Sequence, residues 1–378
     1  MTSAARQAET DRASVAFHVA LSQIGAKTTV EALSLWNEVP AAQRAATASG
    51  WLRKAITLVM SRRRMSRDLA RAYYRLARAL QTGRTVADPY HPEPTHVTLG
   101  DLRREFAALA GTYSPGNDQA GEAATGESGE ASPVRGDEPG PTDQDAPEAP
   151  KVDDGPELDD GDDDWERVLV EELDGLRQEE ERIEREAEEE LRTILDALGT
   201  RNLDRRLSQV DDEQAAKDAD YERAEAHRQA GAQQAAAASR VAMNGGRSAL
   251  WNHTNRDKRA LGYVRLSRTG TPCGFCAMLI SRGIAYKSEA SATYKDGDLF
   301  HDNCHCYAEP VFSRQQYGSR ELFALNRQYE ALWPKVTNGH SGRAALNAWR
   351  RFIRRKQREA HKAAAQEARR STTTAQEA

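Results

Sequence analysis

Two short segments hold every cysteine of the 378-residue chain: Cys273-Gly-Phe-Cys276 and His301-Asp-Asn-Cys304-His-Cys306. A chain that used its four cysteines as ordinary buried apolar residues would rarely confine them so tightly. Two closely spaced cysteine pairs, separated by a segment about as long as one hairpin, are typical of a protein that brings thiolates to one tetrahedral Zn²⁺. The two segments therefore predict a small metal-stabilised unit near the C-terminus.

The spacing of the second pair predicts which side chains meet. In an extended strand the side chains alternate between two faces, so Cys304 and Cys306 would share a face and His305 would point away. The first pair would supply the opposite two sulfurs, and His301 could replace one of them. The candidate metal ligands are Cys273, Cys276, Cys304, Cys306 and His301. A structural zinc site of four cysteines, or of three cysteines and the histidine, is the favoured hypothesis. Unmetallated packed thiols and a disulfide formed on oxidation remain open.

The sequence contains no arrangement of side chains that is typical of catalysis. A closed four-ligand zinc site leaves no open position for water, which argues against metal catalysis. His253, His301 and His340 have no nearby acid and nucleophile at a recognised spacing, and no glycine-rich phosphate loop is present. We therefore expect a non-enzymatic protein. The alternative is a zinc-dependent nucleic-acid-binding or nuclease protein, in which His301 or His305 would act as the base, with Asp302 or Asn303 beside it.

Composition and charge restrict the class of protein. With 39% apolar residues and a mean hydropathy of −0.77, one large globule is not expected. No apolar run reaches the roughly 20 residues that a membrane span needs, and the N-terminus lacks the pattern of a secretory signal. In such a chain, clustered cysteines favour reduced thiols or a metal over a disulfide framework.

The negative charge is concentrated in one segment. Residues 114–164 hold 17 acidic side chains against Arg135 and Lys151, whereas the whole chain has a net charge of only −5, so the rest of it is basic. Residues 112–164 also contain almost no large apolar side chains. Such a segment cannot bury enough surface to offset the entropy of ordering, and we expect an extended, disordered linker.

The hydrophobic pattern predicts a mainly α fold, with a helical N-terminal unit, a helical hairpin and a small α+β cysteine-stapled module near the C-terminus. The predicted domains are a helical N-terminal domain (1–111), an acidic disordered linker (112–164), a long helical hairpin (165–244), an α+β module with the Cys/His cluster (245–318), and basic C-terminal helices with a tail (319–378).

Two helices are predicted within the hairpin, over 165–198 and 204–243, and Gly245-Gly246 is predicted to break the second one. The first helix has a narrow apolar stripe that suits one partner helix, either in an antiparallel hairpin or, as the alternative, in an intermolecular coiled coil. Short strands of the α+β module are predicted at 263–266, 285–287, 299–301 and 306–312.

The cysteine segments also carry a family resemblance, together with these residues: Gly246-Arg247, Asp257, Arg265, Met278-Leu279, Ser281-Arg-Gly283, Tyr286 and Pro310-Val-Phe312. The pattern resembles the C-terminal module of phage Mu F-type minor head proteins, in the form found in tailed phages of actinobacteria. Residues 50–81 are similar to the N-terminal part of the same minor capsid family. Asp302 and His305 depart from the commoner His-Pro-Asn-Cys-Arg-Cys form, in which Pro and Arg stand at those positions.

The resemblance implies a bacteriophage virion protein, a Mu F-like minor capsid protein. Such proteins attach to the portal inside the procapsid, persist in few copies per head, and take part in head morphogenesis and in DNA packaging or ejection. The implied location is the interior of the phage head, and the host cytoplasm during assembly. The implied partners are the portal protein and other head proteins, with no membrane.

The predicted helix over residues 343–370 is strongly basic, because Glu359 and Glu367 are its only acidic residues against ten Arg and Lys. Such a helix would bind the phosphate backbone of packaged DNA by counterion release, without reading the base sequence. Docking on an acidic protein surface is the alternative. Residues 114–164 could compete for the basic faces until DNA enters, so their deletion is expected to raise DNA affinity at low salt.

Overall fold

The computed structural model describes residues 2–91, 94–111, 166–210, 216–268, 272–284, 300–302 and 304–376. Helices dominate these residues, which confirms the predicted mainly α fold class. The linker predicted over 112–164 lies outside the described residues, and the five-part division of the chain stays a prediction. None of the described helices combines the length and the apolar character that a membrane crossing needs.

The elements follow one another with recognisable start and stop signals. The N-terminal elements are α1 (Ser3–Asn37), α2 (Arg44–Thr82), β1 (Arg84–Val86), β2 (His96–Thr98), α3 (Leu99–Ala110) and β3 (Arg167–Glu171). The next are α4 (Leu176–Leu198), α5 (Thr200–Leu207), α6 (Ala216–Arg256), β4 (Gly262–Leu266) and α7 (Gly274–Ile280). The last are β5 (Tyr307–Val311), α8 (Arg314–Ser319), α9 (Ala324–Val336) and α10 (Gly342–Gln376). Helix α2 ends at Gly83, whose φ of 73° few other residues adopt readily, and a capping box of Thr98 and Asp101 begins α3.

The long helices α1, α2 and α6 pack side by side and bury most of the core. The predicted break at Gly245-Gly246 is wrong, because α6 runs through both residues. A Cβ atom on Gly245 would lie 2.2 Å from the carbonyl oxygen of Arg63, and one on Gly246 would lie 2.6 Å from that of Ser66. The two glycines therefore allow the backbones of α6 and α2 to lie close together, and they do not form a turn.

Helices α4 and α6 form the predicted antiparallel hairpin. Near one end Glu180 lies 3.7 Å from His253, and near the other Asn202, on α5, donates to Gln233 at 2.8 Å. Much of the apolar seam of α4 is buried, at Leu176, Ile183, Leu191 and Leu195, and the last two lie in the same cluster as the alanines of α6. The seam is thus filled within the chain, as the hairpin hypothesis requires.

A small sheet stands where the first hairpin helix was predicted to begin. Residues 167–171 form strand β3, which lies between β1, in parallel, and β2, in antiparallel. The predicted helix over 165–198 is therefore wrong at its start, and α4 begins only after Gly175, whose φ is 68°. Residues 167–171 form a strand rather than a helix because their backbone groups pair with the otherwise unpaired edges of β1 and β2.

The C-terminal strands agree in part with the predictions. Strands β4 and β5 pair in antiparallel, with Leu266 opposite Tyr307, which confirms the strands predicted at 263–266 and 306–312. The strand predicted at 299–301 is wrong for Phe300 and His301, because a turn bond from the N–H of Cys304 to the His301 carbonyl bends the chain there. The prediction at 285–287 lies outside the described residues.

Helix α10 is anchored on α7 and α9 through a small apolar cluster. Trp349 and Ile353 of α10 are buried there against Ala277 and Ile280 of α7. Gln357 also donates to the carbonyl of Pro272 at 3.1 Å, just before the first cysteine pair. The basic C-terminal helix is therefore fastened to the element that carries Cys276.

Candidate metal centre

The first cysteine pair is placed by the start of helix α7. Cys273 is the N-cap residue, and its sulfur accepts a hydrogen bond from the backbone N–H of Cys276 at 3.4 Å. Gly274 lies between them, and a Cβ there would approach the Arg350 side chain to 3.2 Å. The local geometry thus turns both sulfurs toward one point while α10 packs on the outside.

The second pair is placed by the segment that leads into β5. Cys304 and Cys306 are buried, whereas His305 between them is exposed, as the predicted alternation requires. The carbonyl of His305 lies 2.8 Å from Nε2 of His18 on α1. Because β5 is held by β4 on the next residues, the two sulfurs have a fixed direction.

All five candidate ligands meet around Cys276. Its Sγ lies 3.5 Å from Sγ of Cys304 and 3.5 Å from Nε2 of His301, which in turn lies 3.1 Å from Sγ of Cys273. Two groups of possible ligands, each with all of its atoms within 4.8 Å of one another, share this sulfur. They are Cys273, Cys276 and His301, and Cys276, Cys304 and Cys306. The three buried thiols of the second group are compatible with a metal site.

The cysteines are all free thiols in this structure. The 3.5 Å between the sulfurs of Cys276 and Cys304 is far longer than the roughly 2.05 Å of a disulfide bond. Two sulfurs of a tetrahedral site with Zn–S bonds of about 2.3 Å lie roughly 3.8 Å apart, so the observed spacing fits shared coordination better than a covalent link.

The electrostatics of the cluster favour the thiolate form of Cys273 and Cys304. Hydrogen bonds with Cys276 and His301 lower the pKa of Cys273 to about 4, and the contact with Cys273 raises the pKa of His301 to about 9. Hydrogen bonds with Cys276 and Cys306, together with the positive charge of Arg247, lower the pKa of Cys304. Hydrogen bonds with Cys273 and Cys304 raise the pKa of Cys276. A hydrogen bond with Cys276 acts to lower the pKa of Cys306, but the contact with Cys304 and burial raise it to about 12. Thiolates are the form that binds metal, so the cluster suits a soft cation.

Two buried arginines that the search for ligands did not single out lie beside the cluster. Arg247 of α6 and Arg265 of β4 place their guanidinium carbons 4.1 and 3.8 Å from the ring centroid of Phe300. Arg247 also donates to the carbonyl of Cys304 at 2.6 Å. Both arginines belong to the resemblance pattern, but only the fold reveals that they are buried at the cysteines.

Two of the four groups considered for a nuclease, His301 and Asp302, have partners within the chain. Nδ1 of His301 lies 2.7 Å from the carbonyl oxygen of Asp302, while Nε2 faces the sulfurs. The Asp302 carboxylate accepts from Arg240 at 2.7 Å. His305 is exposed, and Asn303 is outside the described residues.

Comparison with known proteins places this region in a viral setting. The profile of a family described as VG15 protein, a viral and phage family, matches residues 206–332. The match indicates a bacteriophage protein associated with the virion. It spans about a third of the chain and includes α6, both strands of the C-terminal sheet and all five candidate ligands. No curated protein and no solved structure matches the chain.

Proposed function

We propose that this chain is a Mu F-type minor capsid protein of a tailed phage, which associates with the portal and acts in head morphogenesis and in DNA packaging or delivery. The observation that carries the proposal is the position of the cysteine cluster. It lies at the centre of the part that matches a phage family, and it joins the same elements that carry the resemblance to minor head proteins.

The cluster is proposed to hold a structural zinc ion. Cys276, Cys304 and Cys306 would bind it from the buried side, and either Cys273 or His301 would complete four ligands. The ion would cross-link the start of α7 to the segment before β5. Helix α10 rests on α7, so the same link would also fix the position of the basic helix.

Helix α10 is proposed to meet packaged DNA. Its buried side contains Trp349 and Ile353, and its exposed cationic side chains lie mainly on the opposite face. These are Arg343, Arg350, Arg351, Arg354, Arg355, Lys356, Arg358 and Lys362. Within the described side chains of this helix, Glu359 is the one acid near them, at 4.0 Å from Arg355 and 3.6 Å from Lys356. Such a surface suits a phosphate backbone.

A structural role, rather than an enzymatic one, is part of the proposal. The partners of His301 and Asp302 support it, because a general base needs a free lone pair in reach of substrate. The location proposed is the interior of the phage head, beside the portal protein.

Quantitative mass spectrometry of purified virions tests the capsid assignment. The chain is expected in a few copies per head, at a fixed ratio to the portal, and it should co-purify with portal rings from infected cells. It should resist external protease in full heads. Absence from virions of the phage that encodes it, despite expression during infection, would refute the proposal.

Metal analysis tests the zinc centre separately. One zinc per purified chain is expected. Cys276→Ser should lose it, because Cys276 belongs to both ligand groups. His305→Ala, which changes an exposed neighbour, is the matched control and should retain it. A folded wild-type chain without bound metal would contradict the zinc assignment and leave the capsid assignment to the virion experiment.

A further inference from the structure

Arg247 is one of the largest fully buried side chains in the described part of the chain, with 1% exposure. Its hydrogen bonds go to neutral oxygens: Nη1 donates to Oδ1 of Asn244 at 3.1 Å, and Nη2 donates to the carbonyl of Cys304 at 2.6 Å. The ring of Phe300 covers the guanidinium. A guanidinium keeps its charge at physiological pH, so this buried cation needs an anion nearby.

Other buried arginines of the molecule show what such a cation normally has. Five of them bind a carboxylate at 2.9 Å or less: Arg63, Arg71, Arg75, Arg78 and Arg320. Arg247 differs, because no carboxylate among the described residues lies within ion-pair distance of it. Burial lowers the pKa of Arg247 to about 10, whereas the neighbouring thiols of Cys304, Cys306 and Cys276 act to raise it.

We propose that Arg247 is the buried counter-cation of the metal centre and positions its second cysteine pair. This inference rests on the proposed zinc site. Zn²⁺ with three or four thiolates carries a net charge of −1 or −2, which offsets positive charge from Arg247 and from Arg265, the second buried arginine beside the cluster. Neutral packed thiols would leave Arg247 with an uncompensated charge in the core.

The hydrogen bond to the Cys304 carbonyl gives Arg247 its positioning role. It fixes the peptide between Cys304 and His305, so that the sulfurs of Cys304 and Cys306 lie on one side. Gly246 lets α6 approach α2 closely at this level, and Arg247 is thereby brought under the cysteines. Groups that orient metal ligands in this way commonly change metal affinity by about ten- to hundredfold when they are removed.

The test compares wild type, Arg247→Met, Arg247→Lys and the control Arg75→Met. Zinc affinity is measured by competition with a chromophoric chelator, and unfolding is measured on zinc-loaded and chelator-stripped chains. Arg247→Met should weaken zinc binding by about ten- to hundredfold, and Arg247→Lys should recover part of the loss because it keeps the charge. Arg75→Met should lower stability with unchanged zinc affinity.

The stability of the metal-free chains distinguishes a counter-cation from a purely structural arginine. Without metal, Arg247→Met should lose less stability than it loses with zinc bound, because thiols that take up protons leave the guanidinium with less negative charge beside it. A purely structural role predicts the same destabilisation with and without zinc. If Arg247→Met folds and binds zinc as tightly as wild type, or if Arg247→Lys changes the cobalt-substituted thiolate spectrum as much as Arg247→Met does, the inference is overturned while the zinc centre stands. A wild-type chain without zinc overturns both.

Discussion

The guanidinium of Arg78 binds the carboxylate of Asp257 at 2.6 Å, although 179 residues separate them in the chain. Both side chains are 1% exposed. Tyr74, one turn earlier on α2, donates its hydroxyl to the same carboxylate at 2.9 Å. Arg78 also binds Glu171 at the end of β3. One buried ionic group therefore ties α2, the small sheet and the C-terminal end of α6 together.

Replacing Arg78 should lower the free energy of unfolding, because Asp257 is a buried acid. Arg78→Met removes the buried arginine that binds Asp257, and breaking a buried pair from one side commonly costs about 3–5 kcal/mol. Urea unfolding should show a loss of this size. Arg84→Met is the control, since Arg84 is 44% exposed and pairs with Glu171 at the surface, where a pair contributes about 0–1 kcal/mol. Equal losses in the two variants would contradict a special role for the buried pair.

The glycines of α6 allow a test in which packing opposes helix propensity. Alanine is favoured over glycine within a helix by about 1 kcal/mol. At Gly246, however, the new Cβ would meet the backbone carbonyl of Ser66 at 2.6 Å, so Gly246→Ala should destabilise the protein despite its better propensity. Gly50→Ala, in α2, meets nothing within 4 Å and should stabilise it by up to about 1 kcal/mol. Thermal unfolding of both variants measures the difference, and a stabilising Gly246→Ala would refute the close approach.

The cysteine cluster and the Gly245-Gly246 pair show how much of the structure could be predicted from the sequence. The cysteine cluster was accessible because its pattern is local: two residues lie between Cys273 and Cys276, and alternation alone separates His305 from Cys304 and Cys306. In the sequence, Gly245-Gly246 looks like a helix break. The reason for glycine at these positions is the close carbonyl groups of α2, a helix that is far away in the chain.

Strand β3 and Arg247 were missed for the same physical reason. The apolar stripe at 169–198 is compatible with one helix, and the backbone edges that select a strand at 167–171 lie near residues 84–98. An arginine in a helix is read as exposed until the fold encloses it. Local spacing thus predicts ligand chemistry, whereas contacts that are distant in the chain decide boundaries and buried charges.

The basic face of α10 predicts a specific salt dependence. If it contacts DNA phosphates, replacing Arg354 and Arg358 by glutamine should weaken binding to duplexes of any sequence. The logarithm of the association constant falls as the logarithm of the salt concentration rises, and each lost phosphate contact should make this negative slope less steep by about 0.9. The matched control replaces Arg104 and Arg201, which are 65% and 75% exposed elsewhere. Fluorescence anisotropy across a salt series measures both. Unchanged slopes in the α10 variant would favour an acidic protein surface as the partner of this helix.

The hairpin contains an acid that should make stability depend on pH. Glu180 of α4 is 2% exposed, and burial raises its pKa to about 7 against the opposing charges of Arg71 and Arg67. Its Oε2 atom lies 3.5 Å from Arg71, and its Oε1 atom lies 3.7 Å from His253. Burial lowers the pKa of His253 to about 4, so this ring is neutral above that pH and does not hold the carboxylate in its charged form.

The sign of the effect follows from the direction of the Glu180 shift. The folded protein binds the Glu180 proton more tightly than the unfolded chain, whose reference pKa is 4.5. The resulting stability is present below pH 4.5 and is lost as the pH rises through about 7. Glutamine stays neutral, so Glu180→Gln should match wild type near pH 4.5 and exceed its free energy of unfolding at pH 8 by roughly 3 kcal/mol. Glu181→Gln, at an exposed position of α4, should change stability by less than about 1 kcal/mol throughout. Urea unfolding between pH 4.5 and 8 measures the divergence. Parallel pH profiles for wild type and Glu180→Gln would mean that Glu180 is ionised throughout this range and stabilised by Arg71, Arg67 and water around it.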